Sequence, residues 1–449
     1  MSTVLFDKAI VLQATTSSVK DDESRDGGSC ASSSTDELLN GGGDGECREM
    51  LTNDSARSDS SAHGSSRRTS RRRSTRPSGL GYDRFNCPSD HPPPRYPMHW
   101  DASQVLENWP IAETNVPFTT HEALCVLNYT TQHDVQVAMN YLNAEVPFIL
   151  RNLHDIDETA RRWQQPGYLE QLLGWERNKL GEIVNATTSS TNSHDDAEPL
   201  YPVQKSSTYR FSYWDKSERS DFSLEDWTPP TEEVKMSLAD YRRLVDDQRE
   251  TTGVANMSTL GHHKDEPHYY LYADGYWTRD NDRHRWHVFR ELPRFQPDYA
   301  PPDVFQELVN GEKYQKLLCK LGTRGNHAAM HFDQGRNTIV LLTGMRRYLL
   351  APPSMCSHFD LLNLPHPSAR HSKLNFEDAS SWKARNRGKP TWMNEVVMEP
   401  GDVLILPSYW FHSVVLLEED SMQCNGWSTS TTTYRHFIEQ CGNFLNPSS

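Results

Sequence analysis

Nowhere does this chain of 449 residues run to roughly 18 consecutive apolar residues, the length a membrane-spanning helix requires. Its N-terminus, MSTVLFDKAIVLQATTSSVK, has neither the basic start nor the long apolar core of a secretory signal. A cytoplasmic or nuclear protein without a membrane partner is therefore expected. Cys-x-x-Cys pairs are also missing: the 8 cysteines stand at 30, 47, 87, 125, 319, 356, 424 and 441, which excludes a zinc knuckle or a thioredoxin-like site and predicts reduced thiols. Positive charge is short as well. The net charge of −15 gives no basic face for phosphates, so nucleic acid is not an expected partner. The cluster of arginines at 67, 68, 71, 72, 73 and 76 alternates with Ser and Thr, as a solvated linker, a nuclear-import signal or a kinase target would. Aliphatic residues are scarce over residues 1–110, which predicts a disordered Ser/Gly/Arg-rich tail, since burial there could not repay the entropy of ordering.

Beyond the tail the chain has enough apolar sequence for one large domain. Residues 111–265 read as a helical and β-hairpin region: VPFIL at 146–150 is a candidate first strand, 186–206 a polar loop, TYRFSYW at 208–214 an alternating strand, and Ser237 with Asp240 a helix N-cap. From 266 to 435 the texture is short β runs between Gly, Pro and Asp turns: HYYLYA, NTIVLLT, RRYLLAPP, DVLILP and HSVVLL. Strands of this kind close into a barrel or sandwich, and a barrel of about eight leaves a mouth for one small ligand. Residues 436–449 read as a C-terminal tail.

Two histidines and a carboxylate on one face of an ion are the ligand set of non-haem iron(II) oxygenases. A strand presents two of them as His-x-Asp, because residues i and i+2 point the same way. That pattern starts at His99, His194, His263, His331 and His358, so spacing alone selects nothing. Context does: only His331-Phe332-Asp333 leads through a QGR turn into NTIVLLT, a tight turn at Gly344 and RRYLLAPP. Counting by twos places Asn337, Ile339, Leu341 and Thr343 on one face, with Thr338, Val340 and Leu342 packing outward. The third ligand must come from another strand, and His412 follows the Pro400-Gly401-Asp402 turn and the buried run VLILP.

MHFDQGRNTIVLLTGMRRYLLAPP, HPSARHS at 366–372 and PGDVLILPSYWFHSV closely resemble the cupin-like branch of JmjC oxygenases, whose best-known member is the asparaginyl hydroxylase acting on hypoxia-inducible factor. The resemblance covers roughly residues 145–435. It implies a mainly β fold, the double-stranded β-helix or jelly-roll of cupins, with N-terminal helical elements. It also implies Fe(II) held by His331, Asp333 and His412, with 2-oxoglutarate as cosubstrate and O2 as oxidant. The family's lysine for the distal carboxylate of the cosubstrate falls at Arg346, whose planar fork could grip a carboxylate through two donors. Neighbouring Arg347, one residue out of phase, is expected to face outward. Asn337, Asn425 and a tyrosine of HYYLYA, Tyr270 with Tyr269 and Tyr272 as alternatives, match further residues around the cosubstrate. A family threonine is replaced by Ala328.

The resemblance implies hydroxylation of an amino-acid side chain in a protein substrate, with release of succinate and CO2. The same chemistry serves N-methyl-lysine demethylation and hydroxylation of a modified tRNA base. Outside the enzymes, a non-catalytic cupin-fold binding protein is the alternative, favoured by the departures at 328 and 346.

Overall fold

Helix signals before residue 266 and strand punctuation after it translate into a β structure with helices laid on its outside. The structure, a computed structural model, describes residues 87, 89–173, 200–214, 227–252, 267–276, 291–295, 316–376, 382, 389–428 and 431–442. In chain order these hold β1 (Trp100–Asp101), α1 (Ala102–Asn108), β2 (Val126–Asn128), α2 (Gln132–Asn143), β3 (Phe148–Arg151), α3 (His154–Trp163), α4 (Tyr168–Leu173), β4 (Tyr201–Ser206), β5 (Arg210–Phe211), β6 (Glu232–Met236) and α5 (Leu238–Thr252). The barrel strands follow: β7 (His268–Tyr276), β8 (Lys316–Gly322), β9 (His327–Phe332), β10 (Asn337–Thr343), β11 (Arg346–Ala351), β12 (Trp392–Met398), β13 (Val403–Leu406), β14 (Phe411–Leu416) and β15 (Ser421–Trp427), closed by α6 (Arg435–Cys441).

One sheet has six strands in the order β1-β12-β11-β14-β9-β5; the other has nine, β2-β3-β13-β10-β15-β8-β7-β4-β6. Alternate residues of both meet inside: Ile339 and Leu341 of β10, Tyr348 and Leu350 of β11, Leu404 of β13 and Val414 of β14 form one buried cluster. This is the double-stranded β-helix that the resemblance implied. Helix α3 covers the nine-stranded sheet. Its buried residues Ile156, Thr159, Ala160 and Trp163 recur at helical spacing. Acidic Asp155 and Asp157 open it and Arg161 and Arg162 close it, matching the helix dipole. Because α3 lies against β10, the strand is buried on both faces. Thr338, Val340 and Leu342 do point away from the barrel interior, but into this second core rather than to solvent.

Several local expectations hold. VPFIL becomes β3, Ser237 Oγ accepts the Asp240 amide at 3.1 Å as an N-cap, and Gly344 turns β10 into β11 at φ +70°. A Cβ at Gly344 would stand 2.8 Å from Ser421 Cβ. Other expectations are corrected. The segment assigned to the tail is structured well before residue 110, because α1 carries Val105 and Leu106, followed by Trp109, into the core. Averaging composition over the tail hides so short an apolar group. The polar loop ends in β4, and TYRFSYW pairs only at Arg210–Phe211. The C-terminal tail begins as α6, with Ile438 buried. Cysteines expected as free thiols are paired, Cys319 with Cys424 and Cys356 with Cys441. Sequence spacing could not reveal this, since Cys319 and Cys424 meet only through the register of β8 and β15. Among the described residues no helix is long and apolar enough to cross a membrane.

Candidate metal centre

His331 near the end of β9 and His412 at the start of β14 face each other in register, with ring centroids 4.2 Å apart. Asp333 follows β9 by one residue, and its carbonyl accepts the Tyr409 amide at 2.8 Å. One ligand atom from each of His331, Asp333 and His412 lies within 4.8 Å of the other two. The imidazoles are oriented from behind. Nδ1 of His331 donates to the Ala329 carbonyl at 2.7 Å, and Nδ1 of His412 to the Trp410 carbonyl at 3.1 Å. Each ring then presents Nε2 as the lone-pair nitrogen.

Protonation favours ligation. Burial holds both imidazoles below their ordinary value of 6.5, and for His331 the neighbouring His412 and His371 add to it. Burial alone would raise the Asp333 carboxyl, but the fields of His412 and His331 and the Trp427 hydrogen bond hold it below the usual carboxylate range. Two neutral imidazoles and one carboxylate are the protonation states a divalent cation needs.

A chain of side-chain hydrogen bonds runs from Asp333 across the interior. Asn337 Nδ2 and Trp427 Nε1 each donate to Asp333 Oδ2 at 2.9 Å. Asn425 Nδ2 donates to Asn337 Oδ1 at 3.1 Å, Gln423 Nε2 to Asn425 Oδ1 at 2.9 Å, and Tyr348 Oη to Gln423 Oε1 at 2.5 Å. Both asparagines singled out in the sequence therefore stand in this chain. Gln423, Tyr348 and the indole of Trp427 were missed as members, although Ser421, Gln423, Asn425 and Trp427 recur by twos along β15. His371, within the HPSARHS segment, stacks on His331 with centroids 4.9 Å apart and accepts the Tyr213 amide at Nε2.

Tyr270 of the nine-stranded sheet and Arg346 of the six-stranded sheet are brought together, Arg346 Nη1 donating to Tyr270 Oη at 2.7 Å. Gly322, paired with Tyr270, makes room: a Cβ there would lie 2.7 Å from the tyrosine ring. The expectation for Arg347 is overturned. It is fully buried, with its guanidinium 2.6 Å from Glu395 and 4.1 Å above the Trp109 ring. The reason is α1, which covers the sheet face that the sequence left open. Ala328 packs beside the interior apolar cluster. The competing motifs lie elsewhere: His99 contacts Asn394 and His358 contacts Thr391, while His194 and His263 fall outside the described residues.

Residues 134–434 match the family described as the cupin-like domain. HSPB1-associated protein 1 of Mus musculus is 29% identical over 133 residues, which are 28% of this chain and 27% of that protein. Arginine-specific demethylase JMJ20 of Arabidopsis thaliana is 25% identical over 168 residues, 32% and 34% of the two chains. tRNA wybutosine-synthesizing protein 5 of Homo sapiens is 24% identical over 135 residues, 28% and 38%. The chain thus spans between 27% and 38% of the length of these relatives.

Proposed function

The chain belongs to the cupin-like domain family, of the JmjC type, and from that membership we propose that it is an Fe(II)- and 2-oxoglutarate-dependent dioxygenase that hydroxylates an amino-acid side chain of a protein substrate. The observation that carries the reading is the convergence of His331, Asp333 and His412 within 4.8 Å, each imidazole fixed through Nδ1. Two nitrogen donors and one oxygen donor on adjoining strands suit iron(II) and leave coordination positions for other ligands.

When bound, iron(II) with 2-oxoglutarate and O2 supplies the oxidation that places one oxygen atom in a substrate C–H bond, with succinate and CO2 as the other products. The protein's part is ligation, orientation and exclusion of water. Asn337 and Trp427 hold Asp333 through Oδ2, the oxygen that also lies 3.7 Å from His412 Nε2, and so fix the carboxylate beside the histidines. Asn337, Asn425, Tyr270 and Arg346 are the residues proposed to border the cosubstrate. Trp410, almost fully buried, donates its indole N–H to the Glu145 carbonyl at 3.3 Å and seals one side of the interior.

The purified protein with Fe(II) and ascorbate should convert 2-oxoglutarate slowly to succinate even without substrate. Incubated with candidate proteins, it should add one oxygen atom to a peptide, read by mass spectrometry. A relative named as an arginine-specific demethylase favours a second reading, N-methyl removal by the same centre, and the same spectra separate the two, since demethylation lowers the peptide's mass by a CH2 group whereas hydroxylation raises it by one oxygen. Protein that binds Fe(II) yet neither binds 2-oxoglutarate nor forms succinate would leave the non-catalytic binding protein as the reading.

A further inference from the structure

We propose that Tyr348 and Gln423 are positioning residues for the metal ligand Asp333, acting at a distance through a one-way relay of hydrogen bonds. This rests on the oxygenase reading, in taking the triad as a metal centre, and extends it to how the carboxylate is aimed. The relay leaves the six-stranded sheet at Tyr348 of β11. It passes through Gln423 and Asn425 of β15 and Asn337 of β10, all in the nine-stranded sheet, and returns just beyond β9 at Asp333. Each of the three amides accepts at its oxygen from the member before it and donates from its nitrogen to the member after it. None points the other way.

The direction has a cause at each end. An ionised carboxylate only accepts, so Asp333 requires the N–H of Asn337, which leaves Asn337 its oxygen for Asn425. The same constraint passes to Asn425 and then to Gln423, whose oxygen needs a donor. Tyr348 supplies it. Burial holds its phenol above the ordinary value of 10, so the proton stays on the oxygen. Arg346, two residues earlier on the same face of β11, does not compete for that phenol. Its Nε donates to Ser421 Oγ at 2.9 Å, Nη1 to Tyr270 Oη at 2.7 Å, and Nη2 to the carbonyls of Lys320 at 2.9 Å and Ser421 at 2.6 Å. Asn337, Tyr348, Gln423 and Asn425 are each at most 4% exposed, so bulk water does not replace a missing partner. Were Gln423 to turn over, Asn425 and Asn337 would have to follow, and the Asn337 oxygen would face the Asp333 carboxylate. The phenol opposes this, because as an acceptor it would leave its own proton unpaired. Without the hydroxyl, Gln423 has an unpaired buried group whichever way it turns, and the bias toward Asp333 is lost. Bonds aligned in this way also polarise one another.

Cobalt(II) titration followed by visible absorption reads metal affinity and ligand geometry without 2-oxoglutarate or turnover. Tyr348→Phe should unfold cooperatively, bind cobalt(II) about 3- to 10-fold more weakly, and shift the cobalt(II) bands. Asn337→Ala, which cuts the relay beside Asp333, should weaken binding by itself, and Tyr348→Phe added to it should cost nothing further. Gln423→Leu is a second background in which the same null is expected. Trp427 donates to Asp333 from outside the relay, so in Trp427→Phe the Tyr348→Phe change should keep its full effect. A tyrosine that merely packs would weaken binding by the same factor in every background. That result, or a Tyr348→Phe protein that binds cobalt(II) as tightly as wild type, overturns the relay while the oxygenase reading stands. If wild type binds no cobalt(II), the oxygenase reading falls and takes this one with it.

Discussion

His331 and His412 each give Nδ1 to a backbone carbonyl two residues earlier, so the strand that carries each ring also fixes its tautomer. Alanine at His331, Asp333 or His412 should abolish stoichiometric Fe(II) binding, because two remaining donors hold the ion poorly. His358→Ala should not, since that ring contacts Thr391. Metal retained by the His331 variant and lost by the His358 variant would place the centre wrongly. Trp427→Phe keeps an aromatic side chain but loses the indole N–H that donates to Asp333; metal affinity should fall about 10- to 100-fold, the usual effect of losing a group that orients a metal ligand, as titration would read. Arg346→Met should register first in stability, by about 3 kcal/mol, because it strands the acceptors its guanidinium serves. Denaturant unfolding that matches wild type would show that the hydroxyls and carbonyls Arg346 serves are not left unpaired by its loss.

At the scale of elements, the two sheets are pinned by buried charge. Arg151 of β3 holds Asp402, just before β13, through Nε at 2.6 Å and Nη2 at 2.7 Å. Arg347 of β11 meets Glu395 of the paired strand β12 and donates to the Trp109 carbonyl at 2.8 Å. Arg347→Ala should therefore cost about 3–5 kcal/mol, since it leaves a buried carboxylate alone, while Arg347→Met with Glu395→Met should recover much of the loss. Urea midpoints of the two variants decide this. Burial would raise the Glu395 carboxyl, but Arg347 and then His121 outweigh it and hold it below 4.5. A carboxyl depressed on folding stabilises at pH above its unfolded value, and that contribution is lost as pH falls through the lower folded value. Acid should therefore destabilise wild type below about pH 4.5, and Glu395→Gln, weaker at neutral pH, should show a flatter dependence in that range. Parallel curves would show that Glu395 titrates alike in both states.

For the molecule as a whole, what could be read from the sequence was what repeats at short range. His331-x-Asp333, the turns at Gly344 and Gly401, and the period of two along β10 are local, and they located the triad and the strands around it. What crosses between elements was out of reach: which donors Arg346 spends, that Cys319 meets Cys424, and that α1 closes over Arg347. The N-terminal boundary is the sharpest case, and it sets the last test. Residues 1–86 have too little apolar sequence for a core, so a chain beginning at residue 87 should melt cooperatively and bind metal like the full chain. A chain beginning at residue 111 differs by a short segment but loses Val105, Leu106 and Trp109, each at most 1% exposed. It also loses the Tyr96 hydroxyl that donates to the Pro147 carbonyl at 2.8 Å and the Trp109 carbonyl that Arg347 uses. Three such side chains contribute about 1.5–3 kcal/mol each, set against a net stability of about 5–15 kcal/mol for a domain. The shorter chain should lose its cooperative transition at 25–37 °C, the ordinary range about which such domains are marginal, or show it only weakly. If calorimetry finds the two chains melting alike, the packing of α1 on the six-stranded sheet contributes little; if the chain from residue 87 fails to fold, the first 86 residues join the core after all.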